Sequence, residues 1–206
     1  MGEVNRHVPA LFTQEDKVVI IGHSGSGKTY LLDYLLKHPP ISKFKPIFIV
    51  DTVNIFSYVP DMYYTGITRC KNPRKGQYCV KIHNDTQLEA LIWYLSHTVP
   101  SFYLAVDEID RYVAPRRILQ ETKLWLEEGR NFNRGGIFTV RRVAFLNKSI
   151  LGNAHYLYLF KMLIKTDQEY IETITGIPVS DLQYHNVHSF YLIDLYKSKM
   201  IGEFMV

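Results

Sequence analysis

Apolar residues along this chain follow two rhythms. Short, nearly unbroken apolar runs recur at Lys17–Ile21, Pro46–Val50, Tyr78–Ile82, Phe102–Val106, Gly136–Val140, Ala154–Phe160 and Ser189–Leu195. Runs of this length, ended by Gly, Pro or Asp, predict strands buried on both faces. Between them the period lengthens. Leu31, Leu32, Leu35 and Leu36 share one face of a helix over Lys28–Lys37, which Pro39 and Pro40 stop. Leu88, Leu91, Ile92 and Leu95 do the same after a cap at Asp85 or Thr86. Pro115 can open a third helix that runs to about Glu128 and ends at Gly129. A short helix over Thr166–Thr173 and a hairpin strand near Lys199–Phe204 complete the series. The stretch Thr52–Gln77, with Pro60, Gly66, Pro73 and Gly76, reads as irregular, with a short strand near Met62–Thr65. Alternating strands and helices of this kind predict an α/β fold, a mainly parallel sheet with helices on both faces, as one domain over residues 1–206. Right-handed crossovers then gather the functional loops at the carboxyl edge of the sheet.

Composition adds bounds. At 47% hydrophobic over 206 residues the chain can bury a proper core. No apolar run approaches the roughly 18 residues of a membrane span. Met1–Ala10 lacks the apolar centre of a secretory signal, and Arg6 stands where a myristoylation signal wants Ser or Thr. The expectation is a soluble, intracellular protein. Cys70 and Cys79 are too few for a disulfide framework. With His83 they could be imagined as metal ligands, but the spacing offers no fourth one, and ordinary cysteines are the simpler reading. The Tyr-rich segment from Tyr156 to Tyr196 falls in strand-like runs and reads as core rather than as a face for a partner.

Charge changes the picture through its location. The chain carries +4. Between Arg111 and Lys148 nine basic residues stand against three acids, a local +6, so the remainder sums to −2. Such a segment is either a solvated face or a surface that meets phosphates.

The chemistry begins at Gly22-His23-Ser24-Gly25-Ser26-Gly27-Lys28-Thr29, which fits G-x-x-x-x-G-K-[ST], the Walker A pattern, between a predicted buried strand and an amphipathic helix. Glycines let the backbone wrap an anion, and the N–H groups of Gly25 to Thr29 form a nest at a helix N-terminus. Lys28 would reach the β- and γ-phosphates of ATP, and the Thr29 hydroxyl would sit on Mg²⁺. Tyr30 follows directly and belongs to the same nucleotide-binding set. Asp107-Glu108, ending the apolar strand Phe102–Val106, is a Walker B pair: Asp107 for Mg²⁺ and Glu108 to orient and polarise the attacking water. Asp51 ends another strand, as a second carboxylate behind the site or, more simply, as a strand-end cap. A third segment runs from Gly129-Arg130 through Arg134 to Arg141-Arg142. Arg141 and Arg142, at the carboxyl end of their strand, could sense the γ-phosphate. Arg130 or Arg134 could reach a neighbouring subunit's nucleotide as an arginine finger. The set predicts a nucleoside triphosphatase.

This order of elements resembles the FtsK–HerA group of P-loop ATPases, over roughly Lys17 to Phe160, and within it the viral genome-packaging branch, including the packaging NTPases of Sulfolobus turreted icosahedral viruses. The resemblance implies a RecA/ASCE-like fold and an ATP-driven motor for double-stranded DNA, held through phosphates without regard to sequence. It further implies a homo-oligomeric ring, in all expectation a hexamer, a capsid vertex protein as partner, and a place in the host cytoplasm or on the virion. The group usually carries Gln at the end of the sensor strand; here Arg141 stands there. Two rivals share the P-loop: a nucleotide or small-molecule kinase, for which Glu108 has no evident task, and a nucleotide-gated assembly factor that moves no DNA.

Overall fold

The computed structural model describes residues 12–51, 55–56, 61–63 (backbone only), 76–182, 184 and 186–206. The predicted Thr65 strand end and Cys70 lie outside these residues. Among the described residues nine strands form one sheet in the order β3-β4-β2-β5-β6-β1-β7-β8-β9. They are β1 (Lys17–Ile21), β2 (Ile47–Val50), β3 (Asp61–Tyr63), β4 (Gln77–Lys81), β5 (Phe102–Val106), β6 (Arg134–Val140), β7 (Tyr156–Phe160), β8 (Ser189–Asp194) and β9 (Lys199–Met205). All pairings from β3 to β7 are parallel. The pairs β7–β8 and β8–β9 are antiparallel, the second being the predicted terminal hairpin.

Side-chain alternation along the strands builds two cores. On one face Val18, Ile20, Ile49 and Ile137 pack against Leu31, Leu32, Leu35 and Leu36 of α1 (Lys28–Lys37). On the other, Val19, Ile21, Val106 and Phe138 meet α2 (Asp85–Thr98), α3 (Gln120–Glu128), the short α4 (Lys148–Gly152) and α5 (Lys165–Thr175). Central strands covered on both sides must be apolar throughout, which is why no polar alternation marks them. In the Tyr-rich segment Tyr158 is fully buried, Tyr156, Tyr170, Tyr184 and Tyr191 are half-buried, and Tyr196 is exposed, so the core reading holds in part. Among the described residues no helix is long and apolar enough to cross a membrane.

Three local expectations are corrected. The cap of α2 is Asn84, whose side chain accepts from Gln87 N at 2.9 Å. The third helix begins at Gln120, not Pro115, because Ala114 and Arg117 close a bridged turn first. Its N-terminal amides are satisfied from across the fold: Glu89 accepts from Glu121 N at 2.6 Å and Thr122 N at 3.0 Å. The short α4, capped by Asn147, had no counterpart in the sequence reading.

Candidate functional site

β1 lies between β6 and β7, so Gly22 leaves the sheet in its middle, at the carboxyl edge. The chain must turn at once. A Cβ at Gly22 would stand 2.6 Å from Phe160 Cβ, and Gly27 sits at φ 103°, so both positions require glycine. Gly27 then opens α1 with no side-chain cap, and no acid lies in the helix's first turn. The first amides of the helix are thus left for an external acceptor, and the helix dipole favours an anionic one. Lys28 bends over the loop and donates to the His23 carbonyl at 2.8 Å. Burial pulls its pKa below the ordinary lysine value, against the opposing pull of Asp107, Glu108 and Asp110.

β5 delivers the carboxylates beside this loop, with β6 intervening between β1 and β5. Asp107 is buried. Its Oδ1 accepts from the Thr139 hydroxyl at 2.6 Å and lies 3.3 Å from Thr29 Oγ1. Burial raises its pKa, and the Thr139 hydrogen bond opposes that rise. Thr139 also accepts from Glu108 N at 2.7 Å, so one hydroxyl on β6 fixes both acids. Glu108 takes a left-handed backbone, φ 53° and ψ 56°, a conformation that is costly for a residue with a Cβ and concentrated at functional sites. Its carboxylate pairs with Arg111 Nε at 2.5 Å and Arg141 Nε at 3.3 Å. Arg141 also stands 3.8 Å from Asp110, whose carboxyl burial pushes up and Arg141 holds down. A cavity of about 270 Å³ runs from Ser24 and Gly25 past Gly27, Lys28, Thr29 and exposed Tyr30 to Glu108 and Arg141. Thr29 lines this cavity and Asp107 lies behind it, 3.3 Å from the Thr29 hydroxyl; the two are oxygen donors, the type that a small hard cation such as Mg²⁺ takes.

The other candidates are placed elsewhere. Arg142 turns from Glu108 to pair with Asp167 at 3.0 Å and lies 5.1 Å from the Phe145 ring centre. With His23 and Ser24 it lines an adjoining, largely apolar cavity of about 400 Å³. Ser26 is fully buried inside the loop. Arg130 and Arg134 precede or open β6 and therefore lie at the amino edge, away from the chain's own loop. Arg134 donates to Ser96 O at 2.8 Å. Asp51 caps its strand, accepting from Phe56 N at 2.9 Å. Cys79 is buried on β4 and directed at Asp51, whereas His83 is exposed. Among the described residues no three His, Cys, Asp or Glu cluster as a metal site. Sequence reasoning missed Thr139, Arg111 and Asp110. The one available signal was a hydroxyl inside the apolar run of β6.

The whole architecture has solved counterparts. The genome packaging NTPase B204 of Sulfolobus turreted icosahedral virus 2, solved with AMPPCP, superposes with a TM-score of 0.77 at 19% identity, covering 94% of this chain and 98% of that one. B204 of Sulfolobus turreted icosahedral virus, described as a DNA-packaging ATPase, gives 0.70 at 17% identity, covering 92% and 97%. ATPases 2 and 3 of EssC from Geobacillus thermodenitrificans give 0.55 at 12%, covering 87% of this chain and 38% of that one. At these identities the likeness speaks for the fold, and it bears out the P-loop NTPase architecture read from the sequence. No curated protein sequence is significantly similar. The profile of the family described as Poxvirus A32 protein matches residues 3–174, a span that holds the glycine loop, both carboxylates and all four arginines, and the chain belongs to that family.

Proposed function

We propose that this P-loop nucleoside triphosphatase hydrolyses ATP with Mg²⁺ to move double-stranded DNA, packaging a viral genome into a capsid. The observation that carries the hydrolytic part is the convergence on one cavity of an uncapped helix N-terminus, Lys28 and Glu108. The loop amides and Lys28 bind and orient the phosphates. Thr29 and Asp107 would hold Mg²⁺, which would help neutralise the negative charge of the phosphates. Glu108 accepts the proton of the attacking water, and Arg141 meets the charge that develops on the γ-phosphoryl group. Thr139 positions both acids.

Genome movement is supported by the family and by the likeness to the two B204 proteins, a genome packaging NTPase and a DNA-packaging ATPase. The +6 segment from Arg111 to Lys148 suits sequence-independent contact with DNA phosphates. Because Arg130 and Arg134 stand away from the chain's own loop, any contact they make with nucleotide is in trans. That suits a homo-oligomeric ring, a hexamer, of single ATPase domains. The ring would work in the host cytoplasm and dock a capsid vertex protein on the virion.

The test is the ATPase rate with and without duplex DNA. Stimulation that weakens with added salt, and loss of all turnover in Lys28→Ala, are the expected results. A rate indifferent to DNA would count against a motor, and phosphoryl transfer to a nucleoside acceptor would favour the kinase reading.

A further inference from the structure

A second group of cations sits at the opposite edge of the sheet, roughly 15 Å from the loop by the length of β1. Lys17 opens β1 on the face shared with Val19 and Ile21, beneath Leu126 of α3. It is 1% exposed, and among the described residues its ammonium makes no hydrogen bond or ion pair. It borders a cavity of about 350 Å³, together with Arg130, Glu127, His155 and Tyr196. The tip of the ammonium opens onto this cavity, and an anion held there would offset the cost of its largely apolar surroundings.

The neighbouring acids are already committed. Asp16 Oδ1 lies 2.8 Å from His155 Nδ1, and its Oδ2 accepts from Thr13 N at 2.7 Å and Thr13 Oγ1 at 2.9 Å. Glu127 stands 4.0 Å from Lys123. Arg130, by contrast, is held ready. It donates to the Tyr196 hydroxyl, and its guanidinium carbon lies 5.3 Å from that ring's centre. Tyr196 in turn stacks on His155 at 4.6 Å and 12°. Lys17 and Arg130 outnumber the single carboxylate of this lining, Glu127, which is itself turned to Lys123, so the cavity carries a net positive charge suited to an anion.

We propose that this cavity is a phosphate-binding site in which the Lys17 ammonium and the Arg130 guanidinium together hold one phosphate group. Burial pulls the Lys17 pKa down to about 8, with Arg130 adding to the fall and Asp16 opposing it. Phosphate affinity therefore drops as pH passes about 8 and Lys17 loses its proton. Of the other groups facing it, Asp16 is held below the ordinary carboxylate range by His155 and Thr13 despite burial, and Tyr196 is raised by burial. The phosphate chemistry stands by itself. Its source, either a backbone phosphate of DNA or the nucleotide on an adjacent copy, rests on the motor reading.

The experiment is calorimetric titration of inorganic phosphate into the full chain saturated with Mg·AMPPCP, so that the glycine loop is filled. One saturable site per chain is expected, weakened at least tenfold by Lys17→Met and by Arg130→Met, and weakening in the native chain as pH rises through about 8. Circular dichroism checks the fold of Lys17→Met; Arg130 is exposed, so its variant keeps the test open if the first misfolds. Absence of a saturable site, or isotherms unchanged in both variants, overturns the proposal. Two further arms identify the source. If DNA supplies the phosphate, both variants weaken duplex binding and reduce its salt slope by about one. If an adjacent nucleotide supplies it, DNA affinity holds, and mixing Lys17→Met with Lys28→Ala chains restores ATPase activity. Phosphate binding with both arms silent upholds the site and speaks against the motor.

Discussion

Glu108→Gln is expected to bind ATP normally and to hydrolyse it about 10²- to 10⁴-fold more slowly, the range that positioned general-base catalysis contributes. Gln keeps the size of the side chain and one carbonyl oxygen for Arg111 and Arg141, but it cannot take a proton from water. The left-handed backbone at position 108 is already met by a residue of the same shape, and Thr139 still receives the amide at 2.7 Å. Folding and nucleotide affinity should therefore survive. Steady-state phosphate release, paired with equilibrium binding of ATP, separates the two. Turnover near that of the native chain would remove Glu108 from its assigned role.

Arg141→Ala is the second large effect, a loss of about 10³-fold or more if Arg141 neutralises the transferring phosphoryl group as arginine fingers do. Its guanidinium touches two carboxylates, Glu108 at 3.3 Å and Asp110 at 3.8 Å. It therefore has to leave or share these partners to meet a phosphate. Groups that act as one unit are not additive. The Glu108→Gln, Arg141→Ala double variant should be hardly slower than the slower single one. If the two losses instead multiply in single-turnover kinetics, the residues act separately and the ion pair is only a resting contact.

How much of this was legible depended on whether the cause was local. The glycine loop, α1 and β5 fall where the sequence placed them, because glycine geometry, helical spacing and unbroken apolar runs are properties of short segments. The start of α3 was misplaced because Pro115 gives a strong local signal while the true cap, Glu89, arrives from α2. Thr139 was unread for the same reason: its importance lies in touching Asp107 and Glu108 on the next strand, which parallel pairing brings together from 31 and 32 residues away. The four arginines looked alike in sequence. Register separates them, placing Arg134 beside Phe102 at one end of β6 while Arg141 follows its other end, next to Glu108.

The buried Lys17 also sets a thermodynamic handicap. Below pH 8 its ammonium is charged in both folded and unfolded chains, and the full cost of burying it is present. Between about 8 and the ordinary 10.5 the folded chain gives up the proton first, and that cost is progressively relieved. The difference between the two values corresponds to about 3 kcal/mol, a sizeable part of the 5–15 kcal/mol by which folded domains usually persist. Lys17→Met should accordingly melt several degrees higher than the native chain at neutral pH, with the advantage vanishing in strong alkali; an unchanged or lower melting temperature at pH 7 would show that the ammonium costs the fold nothing. Heat resistance would thus come cheaply at this one position, from the end of the sheet farthest from the glycine loop.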